Sequence, residues 1–232
     1  MRILTFFVGV ALIPVCFAVS GTAISLVRAI SPDSSMAIPS SGWALLGGFL
    51  FWIFLYFTVP LPIRTYVLAH ELTHALWGMF MGARIFRMRV SRDSGSVTMS
   101  KSNFLITLAP YFFPLYTVIV IVGYYILSVF YDVSHYYLFW LGLVGFTWGF
   151  HFTFTINTLL QHQSDIKVYG AVFSYVLIYL FNIAGICAWI VIITDISLAQ
   201  MLNYFWVHMT ETACFVRDYS IQAVGKIKEV MQ

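Results

Sequence analysis

The stretch RTYVLAHELTHALWGMFMG, Arg64 to Gly82, sets His70, Glu71 and His74 in an H-E-x-x-H pattern inside an otherwise apolar run. On a helix, residues four apart share one face about one turn away, so His70 and His74 can present two imidazole nitrogens to a single ion. Glu71 stands roughly 100° round from His70, near such an ion without having to bind it. The pattern suits two histidines that ligate zinc and a glutamate that serves as general base to the metal's water. The competing reading is a satisfied polar patch between helices, which gives no reason for the spacing.

The surroundings of the motif are those of a membrane protein. Hydrophobic residues make up 61% of the 232 and charged residues 9%, against about 25% charged in soluble domains. So few charges cannot cover a water-exposed surface, and the mean hydropathy of +0.89 points to a multi-pass integral membrane protein. The formal charge of +3 is small, and no nucleic acid is expected as a partner. Cys16, Cys187 and Cys214 lie far apart and suggest neither a disulfide framework nor a thiolate metal site.

Upstream of the motif, the apolar run Trp43 to Val59 is followed at once by Pro60, Leu61 and Pro62. Joined to the motif helix it would make a rod of about 60 Å, twice the hydrocarbon thickness. The chain is therefore expected to turn back at the prolines, with Pro62 in the first turn of the motif helix. A kinked helix lying partly in the interface is the alternative. Ile3 to Val27 is long enough to span; a cleaved signal peptide competes, but the run outlasts the usual signal length. Ser31 to Gly42 is a polar loop between the two.

Downstream, Ala83 to Asn103 carries Arg84, Arg87, Arg89, Arg92 and Lys101, with alternation over Ile85–Ser91 and Ser96–Ser100 around Asp93-Ser94-Gly95. This predicts a β-hairpin at the membrane surface. Five basic residues in one loop put it on the cytoplasmic side, whether they only set topology or the strand edge also receives an extended substrate. Spans are expected over Phe104–Tyr131, interrupted by Pro110 and Pro114, over Tyr136–Leu160, and over Val168–Ile193. Gly142, Gly145 and Gly149 form a small-residue stripe for close helix packing. The tail is apolar enough around Leu198–Met209 for a surface amphipathic helix. The fold class is thus an all-α multi-pass membrane protein of about six transmembrane helices with one small hairpin.

A catalytic zinc takes three protein ligands and one open position. If the basic loop is cytoplasmic, the motif helix runs inward and Tyr136–Leu160 runs inward again, bringing the polar run Gln161-His162-Gln163-Ser164-Asp165 to the level of His74. Asp165 is the candidate third ligand and His162 the alternative. His151 reads as a hydrogen-bonded core histidine, and His135 and His208 as interfacial.

In these motifs the chain resembles the site-2 protease family of intramembrane zinc metalloproteases. That family pairs H-E-x-x-H with an N-x-x-P-x-x-x-x-D-G type motif, and Asn157 to Asp165 keeps its Asn-to-Asp spacing, with Leu160 at the proline and Ile166 and Lys167 at the glycines. The hairpin and Ala109-Pro110 also resemble the family's loop and Gly-Pro. The likeness covers about residues 64–170. It implies one Zn2+ per chain held by His70, His74 and Asp165, with Glu71 activating water and Asn157 positioning substrate or stabilising the oxyanion. It further implies a membrane-protein or transmembrane-peptide substrate, cleaved toward the cytoplasmic side of the plasma membrane. The expected organisation is an N-terminal helix and loop over 1–42, a metalloprotease-like core over 43–195 and a tail over 196–232. The rival readings are a catalytically silent zinc-binding scaffold or chaperone, and a proton or metal transporter.

Overall fold

The structure is a computed structural model and describes residues 2–30, 39–92, 94–161 and 163–230. His162, and with it the alternative third ligand, lies outside the described residues, as do Asp93 of the hairpin turn and most of the polar loop after residue 30. In chain order the elements are α1 (Arg2–Ala29), α2 (Ser40–Thr58), α3 (Ile63–Phe80), β1 (Ile85–Val90), β2 (Gly95–Met99), α4 (Phe104–Leu108), α5 (Leu115–Phe130), α6 (Tyr137–Leu159), α7 (Ser164–Tyr169), α8 (Ala171–Ile193) and α9 (Leu198–Val230). Single 3-10 turns at Ala109–Tyr111 and Ser134–Tyr136 precede α5 and α6.

The chain is predominantly helical. Among the described residues four helices are long and apolar enough to cross a membrane, α1, α2, α8 and the α6 segment, or five if α4 and α5 form one broken span. The sixth crossing expected from the sequence is α3, which Arg64, His70, Glu71 and His74 make too polar to count by hydropathy.

By contacts the chain forms two compact units, residues 38–169 and residues 1–37 with 170–232. In the first, the prolines divide α2 from α3 as expected. Val59 is extended after α2, and the Pro62 carbonyl caps α3 by accepting from the Thr65 and Tyr66 amides at 3.0 and 3.2 Å. Pro62 is therefore the cap of α3 and stands just outside its first turn.

At its other end α3 stops in a Schellman turn. The Ala83 amide donates to the Gly78 carbonyl at 2.8 Å and the Gly82 amide to Met79 at 2.9 Å, with Gly82 at φ +72°. The chain then enters the antiparallel hairpin, paired from Ile85 with Met99 to Val90 with Gly95, with an irregularity around Phe86. Ser91 closes the turn, its amide and hydroxyl both donating to the Ser94 carbonyl at 2.8 Å. Both strands lie against α3.

The glycine stripe of α6 meets α2. A Cβ on Gly145 would overlap the Leu45 carbonyl, and one on Gly48 the Gly142 carbonyl, so the two backbones touch. Below that seam Trp52 is buried against Phe150 and Phe154 and donates its indole N–H to the Thr153 hydroxyl at 2.9 Å. This fixes α6, whose C-terminal end carries Asn157.

Two expected spans differ in detail. Phe104–Tyr131 is broken, its halves bent 83° apart where Pro110 and Pro114 deny the helix two amides. Val168 belongs to α7, and the last long span starts only after Gly170, whose φ of +91° separates α7 from α8.

In the other unit, α1 packs on α8 and α9 around buried Leu26, Cys187, Ile190 and Ile196. The amphipathic stretch expected over Leu198–Met209 is the first third of a 33-residue helix.

Candidate metal centre

His70 and His74, one turn apart on α3, turn their Nε2 atoms to within 3.2 Å of each other. Asp165, in the first turn of α7, brings Oδ2 to 3.4 Å from both. Among the described residues this is the one group of three or more His, Cys, Asp or Glu side chains close enough together to hold a metal ion.

The spacing is that of a coordination edge. Ligand atoms about 2.05 Å from a tetrahedral ion lie roughly 3.3 Å apart, and the three separations here are 3.2, 3.4 and 3.4 Å. Donor chemistry agrees, since two imidazoles and a carboxylate make a three-ligand set that leaves one position open.

Surrounding groups hold the donors in place. The Ile106 carbonyl, at 2.8 Å, can only accept, so His74 Nδ1 carries the proton and Nε2 offers its lone pair to an ion. His70 Nδ1 meets the Tyr66 hydroxyl at a longer 3.4 Å, and that hydroxyl accepts from Thr158 at 2.8 Å. Tyr111, fully buried in the turn that Pro110 forces, donates its hydroxyl to Asp165 Oδ2 at 3.1 Å. Burial by itself would push the Asp165 carboxyl up. With protons rather than an ion at the two Nε2 atoms, hydrogen bonds and charge from His70 and His74 outweigh it and hold the group well below the usual carboxylate range; an ion bound by those lone pairs takes over that role.

Glu71 is buried and makes no hydrogen bond to any described residue. It lines, with the three donors, a cavity of about 650 Å³ whose wall includes hairpin residues Ser94 to Val97. Gly95 lies directly on it: a Cβ there would collide with Glu71 Cγ and stand 2.6 Å from Oε1. Asn157 lines the same cavity without bonding to the donors, and Gln161, Gln163 and Ser164 supply polar lining beside it.

His151 is buried as expected, but its Nε2 finds no hydrogen-bond partner among the described residues. A separate space of about 10 Å³ touches both His151 and His70, room for about one water. The residues that sequence reasoning missed are Tyr66, Tyr111 and Gly95. The first stands one turn before His70 on the same face, a relation that spacing could have found; the other two act across the fold. Compared with protein-family models, with curated proteins and with solved structures, the chain matches none of them.

Proposed function

We propose that residues 38–169 form an intramembrane zinc metalloprotease that hydrolyses peptide bonds in or next to transmembrane segments, with His70, His74 and Asp165 holding one zinc per chain. The observation that carries this reading is the near-equal spacing of three donor atoms beside a buried carboxylate, Glu71, that they leave free. When bound, zinc supplies a Lewis acid and brings the pKa of its water toward ~7.

Glu71 is the base of this reaction. It takes the proton of the attacking water and returns it to the leaving amine. Asn157 faces the same cavity and holds the scissile carbonyl or donates to the oxyanion as charge develops. A helical substrate hides its carbonyls in internal hydrogen bonds and must unwind first. The two-stranded sheet offers an edge on which the unwound segment can lie extended. Gln161, Gln163 and Ser164 give water a polar path through otherwise apolar walls.

In this reading α3 lies within the membrane as a sixth crossing, and Arg84, Arg87, Arg89, Arg92 and Lys101 hold the hairpin on the cytoplasmic side of the plasma membrane. The packing of Gly95 on Glu71 favours one second reading, a zinc-holding scaffold whose base is covered.

One experiment separates the two. Wild type and Glu71→Gln are purified in detergent, zinc per chain is measured, and both are offered a panel of transmembrane peptides. The protease reading expects about one zinc in each and cleavage by wild type alone. Zinc in both and cleavage by neither favours the scaffold, and no zinc in wild type removes both readings.

A further inference from the structure

The second unit holds a cluster that the metal centre does not use. Ser25 on α1 and His208 on α9, 183 positions apart, bring Oγ and Nε2 to 2.8 Å. On the far side of the same ring, Nδ1 lies 2.9 Å from Glu211 Oε2. The carboxylate can only accept, so Nδ1 carries the proton in the neutral ring and Nε2 is left to accept from the Ser25 hydroxyl. This is the order of a nucleophile, a base and an orienting carboxylate.

Two features separate Ser25 from an ordinary helix serine. The hydroxyls of Ser20 and Thr22 on the same helix lie on the carbonyls four residues back, at 2.6 and 2.8 Å. Ser25 spends its hydroxyl on the ring instead. Gly21, one turn earlier on the same face, clears space for that ring, since a Cβ there would come within 2.7 Å of His208 Cγ.

An apolar groove shares Glu211 with this cluster. Its α1 wall is Ile13, Pro14 and Phe17 and its α9 wall includes Glu211, Phe215 and Val216, with a volume of about 470 Å³. Descending numbers on α1 meet ascending numbers on α9, so the helices run antiparallel. Ile13, Phe17, Gly21 and Ser25 recur every four residues, a row that winds about 120° round the helix over roughly 18 Å. The groove ends at Phe17, two turns before Ser25, where the His208 ring packs on Gly21, and α1 is long and apolar enough to stand in a bilayer.

We propose that Ser25, His208 and Glu211 form an esterase-type nucleophilic site for the acyl ester of a membrane lipid, with the acyl chain in the groove between α1 and α9. His208 Nε2 takes the Ser25 proton as Oγ bonds to the ester carbonyl carbon. The ester C–O bond then breaks, the departing alcohol takes that proton, and the acyl group stays on Ser25. Water, deprotonated by the same nitrogen, releases the carboxylic acid and restores the hydroxyl. Arg28, three residues on along α1 and exposed, is assigned in this proposal to meet the carbonyl oxygen as it gains charge.

The test is covalent. Full-length protein in detergent is treated with a fluorophosphonate probe, and the labelled residue is located by peptide mass spectrometry. The expected result is label on Ser25, unaffected by a zinc chelator, abolished in Ser25→Ala and slowed about 10-fold or more in Glu211→Gln, which leaves the nucleophile in place. Deacylation is then followed with p-nitrophenyl esters of increasing chain length and with phospholipid vesicles. Turnover that rises with chain length and extends to the vesicles supports the lipid assignment, whereas turnover of short soluble esters alone overturns it. No label on Ser25 in monodisperse wild-type protein, or equal labelling in Glu211→Gln, overturns the relay itself.

Discussion

The candidate metal centre and the Ser25 cluster both build on a histidine beside a carboxylate, yet they are held very differently. At the metal centre His70, His74 and Asp165 expose only 11%, 12% and 22% of their side chains, and partners from two further segments orient them. At the other cluster His208 is 25% and Glu211 65% exposed, and Glu211 sits on the same helix as the ring it orients. The exposure of Glu211 leaves its carboxylate free to swing. The contrast teaches that the first site is held by partners from several segments, while the second rests on one contact between helices and one within a helix. Losses of a single group should therefore be large at the first and graded at the second.

The sharpest way to break that contrast is to remove a donor. Asp165→Ala leaves two imidazoles one turn apart, and zinc affinity is expected to fall more than about 100-fold, beyond the 10- to 100-fold that loss of an outer partner costs. His208→Ala is expected to leave zinc per chain unchanged. Metal content after dialysis against a competing chelator reads both, and a chain that keeps its zinc without Asp165 would have another third ligand.

Next in size is the supporting hydroxyl. Tyr111→Phe keeps the ring, which stands edge-on to His70 at 5.3 Å, and removes the hydroxyl that donates to Asp165. Zinc affinity should drop about 10-fold by competition titration. An unchanged affinity would mean that the carboxylate is fixed by the histidines alone.

A closer pairing comes from two glycines, each pressed on a reactive side chain by a neighbouring element. Gly95 belongs to an exposed hairpin and covers Glu71, whereas Gly21 is fixed in the middle of α1 and covers His208. Gly95→Ala must push the Glu71 carboxylate aside, and on the proposed protease function peptide cleavage is expected to fall about 10-fold with zinc retained, as misplacement of a reacting group costs. Gly21→Ala should leave cleavage alone and slow fluorophosphonate labelling of Ser25 by a similar factor. If Gly95→Ala speeds cleavage, the hairpin is a cover over Glu71 and its removal the limiting step.

Much of this arrangement was legible in the chain. The change from helical spacing in Arg64–Gly82 to alternation after Ile85, with Pro60 and Pro62 before it, marks α3 and the hairpin, and the glycines of α6 announce a close helix contact. Local signals of this kind survive because they depend on a few successive residues. Other features depend on direction in space. Pro110 and Pro114 say that a helix is interrupted, but whether the halves stay in line or bend by 83° rests on what packs around them. Parity along the chain brings Asp165 to the level of His74, yet nothing in the sequence says that Tyr111 reaches it. The pairing of Ser25 with His208 spans most of the chain, and no spacing rule links the two.

The smallest effect concerns the turn on which the hairpin's aim depends. Gly82 holds φ +72° while its amide and that of Ala83 return to α3. A side chain in that left-handed region costs about 1–2 kcal/mol, and asparagine tolerates it better than alanine. Gly82→Ala is therefore expected to lower stability by about 1 kcal/mol and Gly82→Asn by less, read as denaturant midpoints in detergent. Neither should alter zinc content, because His74 lies two turns back inside the helix. Cleavage should weaken with stability, because the same turn sets where Gly95 meets Glu71. If alanine and asparagine behave alike and both match wild type, the exit from α3 is free to adjust, and the hairpin's position over Glu71 is set by its packing on the helix face instead.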